Sequence, residues 1–392
     1  MSALLLRNAR AFDDGRPLDV EVVEDRIARV AEPGTLPPAE REVDLSGRVL
    51  LPALVNAHDH LDFSSFPALG RPPYRSLYEW ADEVRAGEDD PAVRAALSVE
   101  LSDRLFLGGL RNLLAGASAV AHHGAPHRSL GREDFPVRVL LRYQFAHSPG
   151  LTTSLRKTYR SSDRRIPWMI HAAEGTDERC RAEIASLVEQ RLLRHNTVVV
   201  HALGAGEQDA AALAAASACV VWCPESNRRL YGAAAPIELL RRAGVRVGLG
   251  SDSPVSGVRD ALSNLAAARA EGFFSDQELL ELATTKSAEV ARLPAGALAE
   301  GAPADLLAVS SLEELLQGRR EAVALVMVAG RALLGAPELG KALPARASRI
   351  AVNGAPRLLE RTLARRGASL LQRHRALREG VGWCRGLQLD MG

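Results

Sequence analysis

Five short apolar segments of this chain each end in polar residues that can bind a metal or move a proton. Each segment is rich in Val, Ile or Leu, a composition typical of parallel strands that are buried on both faces. The segments are LLPALVNAHDHLDF with His58 and His60, IPWMIHAAEG with His171 and Glu174, TVVVHALG with His201, CVVWCPESN with Asn227, and VRVGLGSDSPVSG with Asp252.

Helical patterns lie between these segments, among them DERCRAEIASLVEQRLLR, EQDAAALAAASA and APIELLRRAG. Strands that alternate with helices are typical of right-handed βαβ units and a parallel sheet. Over residues 52–302 the alternation predicts an α/β fold, a (β/α)8 TIM barrel. Catalytic groups of such barrels lie at the C-terminal ends of the strands, which is where the polar residues of the five segments fall.

His58 and His60 give the first indication of a metal site. Side chains two positions apart on a strand point to the same face, so these two imidazoles converge while Asp59 points away. Two neutral imidazoles on one face form half of a site for Zn²⁺, Fe²⁺ or a similar ion. A single histidine of this kind is more often structural, but several metal-binding groups at the strand ends of one barrel favour a metal centre.

Taken together, the motifs resemble the amidohydrolase superfamily, and within it the branch of cytosine and guanine deaminases and triazine chlorohydrolases. The resemblance extends from Ile27 to about Val309 and includes GRVLLPALVNAHDHL, HAAEG, VVVHALG, CPESNRRL, GLGSDS and GAPADLLAV. It implies one divalent metal ion, with zinc expected and iron or manganese as alternatives, and it implies a homodimer. The ligands implied by the resemblance are His58, His60, His171 and Asp252.

The same resemblance, read with general chemistry, assigns roles around the metal. A bound divalent ion lowers the pKa of water from about 15.7 toward about 7, which supplies hydroxide at neutral pH. Asp252 is expected to bind the metal and to accept the proton of that water. Glu174 is expected to shuttle a proton to a ring nitrogen or leaving group; the alternative is a first-turn acid of the next helix. His201 is expected to polarise the developing oxygen rather than to bind the metal.

One metal is predicted rather than two. A binuclear site of the dihydroorotase-like kind would use a carbamylated lysine on the fourth strand, and the predicted fourth strand, VRVLLRYQFAHS, contains no lysine. His122 and His123 end a predicted third strand, SAVAHHGA, and His147 ends the fourth. Substrate hydrogen bonding, a second metal and structural pairing all stay open for these histidines.

Residues that contact the substrate are harder to assign. Asp62 and Trp80 lie in the loop and helix after the first metal-binding strand, where barrel enzymes often keep their specificity. Asn227 follows the Cys223-Pro224 turn and either contacts substrate or orients that loop. The full set of substrate-binding candidates is Asp62, Trp80, His123, His147 and Asn227.

The two ends of the chain predict a second unit. Short alternating strands in residues 1–51 and 303–350 predict one small β-sandwich assembled from both ends, as the family resemblance also implies. Residues 351–392 are expected to form a C-terminal helical extension, with an Arg-rich amphipathic helix over 356–379. The preferred interpretation is that its Leu face packs on the body, and the alternative is a partner-binding tail.

Composition narrows the function further. The net charge of +1 over 392 residues gives no electrostatic reason for binding nucleic acid or a membrane surface. No apolar run approaches the roughly 18 residues of a membrane span, the four cysteines lack C-x-x-C spacing, and the N-terminus has no secretory signal. The sequence therefore predicts a cytoplasmic protein that acts on a small molecule.

The leading hypothesis is a metal-dependent hydrolase that deaminates a small N-heterocycle. The alternatives by the same attack are hydrolysis of a cyclic amide or imide, and dechlorination. A barrel that binds a ligand without turnover is the alternative outside enzymes; the complete set of catalytic residue types argues against it.

Overall fold

The computed structural model describes residues 3–87, 89–159, 164–344, 347–374, 377, 381–384 and 386–389. The chain begins with five strands: β1 (Leu4–Ala11), β2 (Pro17–Val23), β3 (Arg26–Ala31), β4 (Arg41–Asp44) and β5 (Val49–Pro52). β1 pairs in parallel first with β4 and then, at its end, with β5. Its register against β2 shifts between Leu6 and Ala9, where Asn8 adopts a φ of 57°. At this bulge β1 changes its parallel partner along one edge, from β4 to β5.

Parallel strands form the middle of the chain. In the described residues they are β6 (Leu54–Asp59), β7 (Ala117–His122), β8 (Arg138–Val139), β9 (Gln144–Ala146), β10 (Trp168–Ala172), β11 (Thr197–His201), β12 (Cys219–Trp222) and β13 (Arg246–Leu249). β6 to β8 form a three-stranded sheet and β9 to β13 a five-stranded sheet, each in chain order. Asp59 and Asp252 form a parallel bridge between the two sheets, and the Asp252 amide donates to the His58 carbonyl over 3.1 Å.

Helices connect these strands. They are α1 (Leu77–Ala86), α2 (Pro91–Leu97), α3 (Leu101–Leu114), α4 (Leu155–Thr158), α5 (Glu178–Arg181), α6 (Glu183–Glu189), α7 (Glu207–Ala215), α8 (Pro224–Tyr231), α9 (Ile237–Arg242), α10 (Ala261–Glu271), α11 (Asp276–Glu281) and α12 (Ser287–Ala291). Local sequence sets several of their ends: Asp90 caps α2 ahead of Pro91, and Ser275 and Glu278 form a capping box on α11. The predicted alternation of strand and helix is confirmed. Within the described residues, no helix combines the length and apolar character needed to cross a bilayer.

Two strand assignments made from the sequence differ from the structure. The segment SAVAHHGA, predicted as the third parallel strand, is β7 and pairs directly with β6, so it is the second. The predicted fourth strand, VRVLLRYQFAHS, is two strands, β8 and β9. The chain leaves the sheet between them, where Leu141 is 55% exposed and cannot belong to a strand buried on both faces.

The C-terminal part returns to the first sheet. Its elements are β14 (Leu306–Val309), α13 (Leu312–Leu316), β15 (Val323–Val328), β16 (Arg331–Gly335), β17 (Ala347–Val352), β18 (Ala355–Glu360), α14 (Arg361–Arg373) and β19 (Leu387–Leu389). Both chain ends join one eleven-stranded mixed sheet, in the order β19-β17-β18-β16-β15-β14-β5-β1-β2-β3 with β4 beside β1. The sequence predicts a sandwich from both ends; the described strands make one continuous hydrogen-bonded sheet.

The helical extension predicted from residue 351 is partly wrong. Residues 347–360 form the β17–β18 hairpin around Asn353 and Gly354, and the helix begins only at Arg361. Residues 375–376 and 378–380, part of the predicted helix, lie outside the described residues. α14 packs against α3: Leu363, Leu370 and Leu371 are buried, and the Arg366 guanidinium lies 4.2 Å from the Phe106 ring centre.

Candidate metal centre

Five side chains that the sequence places at separate strand ends meet in one cluster. His58 is the second-last residue of β6, and His60 directly follows that strand. His171 lies on β10, His201 ends β11 and Asp252 lies in the loop after β13. All five are buried or nearly so. The strands are parallel and adjacent in the two sheets, so their carboxyl ends bring residues far apart in sequence to the same edge.

The spacing of the ring nitrogens fits a metal ion better than a direct hydrogen bond. His171 Nε2 lies 3.3 Å from both His58 Nε2 and His60 Nε2. Asp252 Oδ1 lies 3.8 Å from His58 Nε2 and 3.7 Å from His60 Nε2. Zinc–nitrogen bonds of about 2.0–2.1 Å in a tetrahedral arrangement separate neighbouring ligand atoms by about 3.3–3.4 Å. Among the residues that the structure describes, two overlapping groups of three could hold a metal ion, His58 with His60 and Asp252, and His58 with His171 and His201; in each group the ligand atoms lie within 4.8 Å of one another.

The distal atoms of these groups are held by neighbours. His171 Nδ1 lies 2.6 Å from the His147 carbonyl, a bond that takes the Nδ1 hydrogen and leaves the Nε2 lone pair free for a metal. The Ser226 hydroxyl donates to Asp252 Oδ2 over 2.6 Å, so the other oxygen faces the histidines. Such contacts fix ligand orientation before a metal arrives.

The charge state of the cluster also suits metal binding. Burial lowers the pKa of four imidazoles below the ordinary value of free histidine, and nearby imidazoles add to the effect at most of them. They are His58, His60, His123 and His171. Neutral imidazole is the form that binds a metal, so these histidines can act as ligands near neutral pH without first losing a proton.

Glu174 is a buried carboxyl beside this cluster. It follows β10 by two residues, is 2% exposed, and burial raises its pKa to about 7. The Tyr231 hydroxyl donates to Glu174 Oε1 over 2.7 Å, and His201 Nε2 lies 3.4 Å from the same oxygen. Burial holds the pKa of Tyr231 well above its ordinary value, so Tyr231 stays a donor. A carboxyl that titrates near neutrality can both give and take a proton.

The backbone around the site is left-handed at several non-glycine positions. His201 has a φ of 74°, Asp252 of 61° and Ala173 of 53°. Left-handed backbone is unfavourable for residues with a Cβ and persists only where the surroundings enforce it. In the Ala173 turn the enforcement is visible, because the buried Glu183 carboxylate accepts the Ala173 amide over 2.8 Å and the Tyr78 hydroxyl.

Comparison with known proteins points to one family. Residues 144–333, just under half of the chain, match the amidohydrolase family. A relative from Haloarcula marismortui, named 5-methylthioadenosine/S-adenosylhomocysteine deaminase, is 28% identical over 351 aligned positions that cover 74% of this chain and 80% of the relative. The family predicted from the sequence is confirmed.

Solved structures share the fold. An adenosine deaminase from Xanthomonas campestris with bound zinc aligns over 96% of this chain and 98% of its own, with 18% identity and a TM-score of 0.70. An atrazine chlorohydrolase from Arthrobacter aurescens TC1 with zinc aligns over 95% and 99%, with 19% identity and a TM-score of 0.70. At these identities the likeness shows the fold alone.

A cavity of about 380 Å³ opens onto the strand ends that carry this cluster. Of the substrate-binding candidates, Trp80 and His147 line it. His123 lies deeper, with its ring 4.2 Å from that of His171 and its Nε2 2.9 Å from the Ala146 carbonyl. Asp62 does not line the cavity. Asn227 is fully buried, and its Oδ1 lies 2.9 Å from His201 Nδ1.

Behind the ligands lies a buried polar cluster that sequence reasoning missed. Asp59 accepts hydrogen bonds from Arg111 and Asn112 of α3 and from Asn56 of β6. Asn56 also donates to the Ser251 hydroxyl over 2.8 Å and accepts the Ser251 amide over 2.9 Å. The cluster connects β6, which carries His58 and is directly followed by His60, to the loop that carries Asp252. A signal for it exists, because Arg111 and Asn112 interrupt an otherwise apolar stretch of α3.

Tyr231 and Ser226 were also missed. Both lie on α8, Ser226 within the CVVWCPESN segment and Tyr231 just after it, and both hydrogen-bond to catalytic candidates. Nothing in the local pattern marks them, since their partners are more than twenty residues away in sequence.

Proposed function

We propose that this chain is a mononuclear metal-dependent hydrolase that deaminates a small N-heterocycle. The observation that carries the proposal is Glu174, a buried carboxyl with a pKa near 7 beside four donors spaced for one metal ion. Deamination needs an acid that protonates a ring nitrogen while water adds to the neighbouring carbon. The deaminase named among the relatives supports this choice of reaction.

The metal ligands in this proposal are His58, His60, His171 and Asp252, and zinc is the preferred ion, with iron or manganese as alternatives. A divalent ion held there would lower the pKa of a water molecule and so supply the nucleophile at neutral pH. The imidazoles are neutral, and Asp252 has one oxygen that Ser226 does not contact. None of these four groups therefore has to lose a proton before it binds the metal.

Glu174 and His201 manage the proton and the developing charge. Protonated Glu174 donates to the ring nitrogen beside the reacting carbon, and Tyr231 holds the carboxyl in place. Asn227 Oδ1 accepts from His201 Nδ1, which orients the imidazole with its Nε2 toward the oxygen that forms on that carbon. Asp252 takes one proton of the attacking water and passes it to the exocyclic nitrogen, the carbon–nitrogen bond breaks, and ammonia leaves. The second proton of that water returns to Glu174 as the new oxygen becomes a carbonyl.

The test is ammonia release from the metal-loaded protein with a panel of aminopurines, aminopyrimidines and aminotriazines. Turnover of at least one that is lost in Glu174→Gln supports deamination. Release of chloride from a chlorotriazine, or opening of a cyclic amide or imide without ammonia, would replace it by the corresponding hydrolase. Binding without any turnover would favour a ligand-binding barrel.

Three further points stay predictions. The bridge between β6 and the loop after β13 supports closure of the parallel strands into a (β/α)8 barrel, with the mixed sheet as a second unit. The homodimer is tested by light scattering on the purified protein. The cytoplasmic location is tested by fractionation of the source cells.

A further inference from the structure

Helix α1 turns one face toward the cavity. Five of its residues line the wall at spacings of three, one, three and one, as one helical face requires: Leu77, Trp80, Ala81, Val84 and Arg85. Four of these five side chains are apolar. The Trp80 indole donates to the Leu69 carbonyl over 3.2 Å, which fixes the ring while leaving its faces for packing.

The opposite wall is apolar too. Phe63, Leu151 and Val255 also line the cavity, and the Phe63 ring centre lies 5.6 Å from that of His60. Val255 belongs to a small apolar cluster with Phe66, Val93 and Ala96, and Phe63 and Trp80 pack against it. This cluster is distinct from the main core, and Trp80 packs against both.

The polar side chains of the cavity lie in two places, and the first includes Ser253, which directly follows Asp252. One is the metal end itself, with Glu174 and Asp252 as its carboxylates. The other is the rim, where the Arg85 guanidinium lies 2.9 Å from Asp82 and His147 is exposed. Between them, the lining side chains that the structure describes include no carboxylate. A ribose enclosed there would leave hydroxyl groups short of acceptors, which is strongly unfavourable.

We propose that the substrate is an N-heterocyclic amine that carries an apolar substituent, such as an alkyl, thioalkyl or aryl group, in place of an unmodified ribose. The heterocycle lies at the metal end, and the substituent packs between α1 and Phe63, Leu151 and Val255. This inference rests on the proposed deamination for its reacting end. Removal of the substituent from water gives binding energy that a hydroxylated group would not.

The experiment compares matched derivatives: 9-benzyladenine with adenosine, and 1-benzylcytosine with cytidine. The ratio of kcat/KM, apolar to ribosyl, is measured by ammonia release from the metal-loaded enzyme. We expect a ratio of about tenfold or more in the pair whose heterocycle reacts, since one methylene in an apolar pocket is worth roughly 10- to 200-fold. A ratio of one, or a preference for the nucleoside, would overturn the substituent class.

Variants locate the effect. Trp80→Ala and the nearly isosteric Val84→Thr should each lower the ratio several-fold, whereas Val188→Ala, which removes a 45% exposed side chain on α6 outside the cavity, should leave the ratio as in the wild type. An equal effect of all three would show that the cavity wall does not select the substituent.

Binding separates this inference from the proposed reaction. Calorimetry with metal-loaded Glu174→Gln measures the dissociation constants of the same four compounds without turnover. Tighter binding of the benzyl derivatives supports the apolar subsite even if the wild-type enzyme releases no ammonia. Absence of ammonia from the wild type would contradict the proposed deamination but not the subsite. Equal binding of each pair, or binding of none, would overturn the subsite.

Discussion

Tyr231 sets the proton affinity of Glu174. Its hydroxyl donates to the carboxylate, which stabilises the ionised form and lowers the pKa of Glu174 against the opposing effect of burial. In Tyr231→Phe this bond is lost, so the pKa of Glu174 should rise above its value of about 7. Because the protonated form donates, the alkaline limb of the kcat profile should then move to higher pH. A limb that stays in place or moves to lower pH would remove Glu174 from the acid role.

Glu174→Gln tests the same residue directly. The amide is close in shape but cannot donate an acidic proton, so kcat should fall by about 10²- to 10⁴-fold. Metal content, measured by elemental mass spectrometry, should not change. The matched control is Glu225→Gln, since burial also raises the pKa of Glu225 to about 7 while its side chain accepts from Ser263, away from the cavity. Equal losses in the two variants would point to a structural effect.

The residue scale is where sequence reasoning went furthest. His58, His60, His171 and Asp252 each lie at the end of an apolar run, and the structure brings them together because parallel strands end at one edge. Their role as metal ligands, which the family resemblance implies, stays a prediction. Asn227 was left between two roles, and the structure places it against His201 rather than the cavity. The choice depended on a long-range contact that no local pattern contains.

At the scale of elements, the buried cluster around Asp59 should set the geometry of the metal ligands. The double variant Asp59→Asn, Arg111→Met removes both charges, which avoids leaving one buried and unpaired. We expect metal affinity, measured by competition with a chromogenic chelator, to fall about 10- to 100-fold, because supporting contacts hold ligands in position.

The control for this variant is Arg138→Met with Asp305→Asn, another ion pair with a buried carboxylate, in which Arg138 Nε lies 3.1 Å from Asp305 Oδ2. It joins β8 to the loop before β14 and touches no proposed ligand. Loss of stability with unchanged metal affinity is expected there. Unchanged affinity in the Asp59 and Arg111 variant would show that the cluster supports only the fold.

The β17–β18 hairpin shows what the sequence contained and what was overlooked. Asn353 and Gly354 adopt φ values of 50° and 80°, and an Asn-Gly pair between two strand-like runs is the strongest short hairpin signal. The Leu and Arg spacing of PRLLERTLARRG suggests a helix from its first residue, and this obscured the hairpin signal. The first residues of that run suit a strand equally well, and they form the end of β18. The break between β8 and β9 is harder to predict from the sequence, because it is marked by the exposure of Leu141, which the structure shows and the sequence does not.

At the scale of the whole molecule, α14 fastens the C-terminal segment to the parallel-strand unit. Leu370 is fully buried on its inner face. Leu370→Ala should lower the free energy of unfolding by about 2–5 kcal/mol, measured by urea denaturation. Leu97→Ala, at a position that is 54% exposed, should change it by no more than about 0.5 kcal/mol. A small effect at Leu370 would mean that α14 is not part of the cooperative unit.

Unfolding experiments of this kind also bear on how the ends of the chain relate to its middle. The alternation of strand and helix could be predicted because it depends on periodicity, and the family could be predicted because its motifs resemble those of a known superfamily. The single eleven-stranded sheet could not, because β1 changes partner at a bulge and the C-terminal hairpin adds to an edge. Both are pairings between distant segments, for which the sequence pattern specifies the strand and not its neighbour.

The most direct test of the account is the number of metal ions per chain, measured by elemental mass spectrometry on protein purified without chelators. We predict about one divalent ion per chain, lost in Asp252→Ala and kept in His123→Ala. Two ions, with one lost in His123→Ala, would contradict the mononuclear centre. No ion after reconstitution with zinc, iron or manganese would contradict metal-dependent hydrolysis altogether.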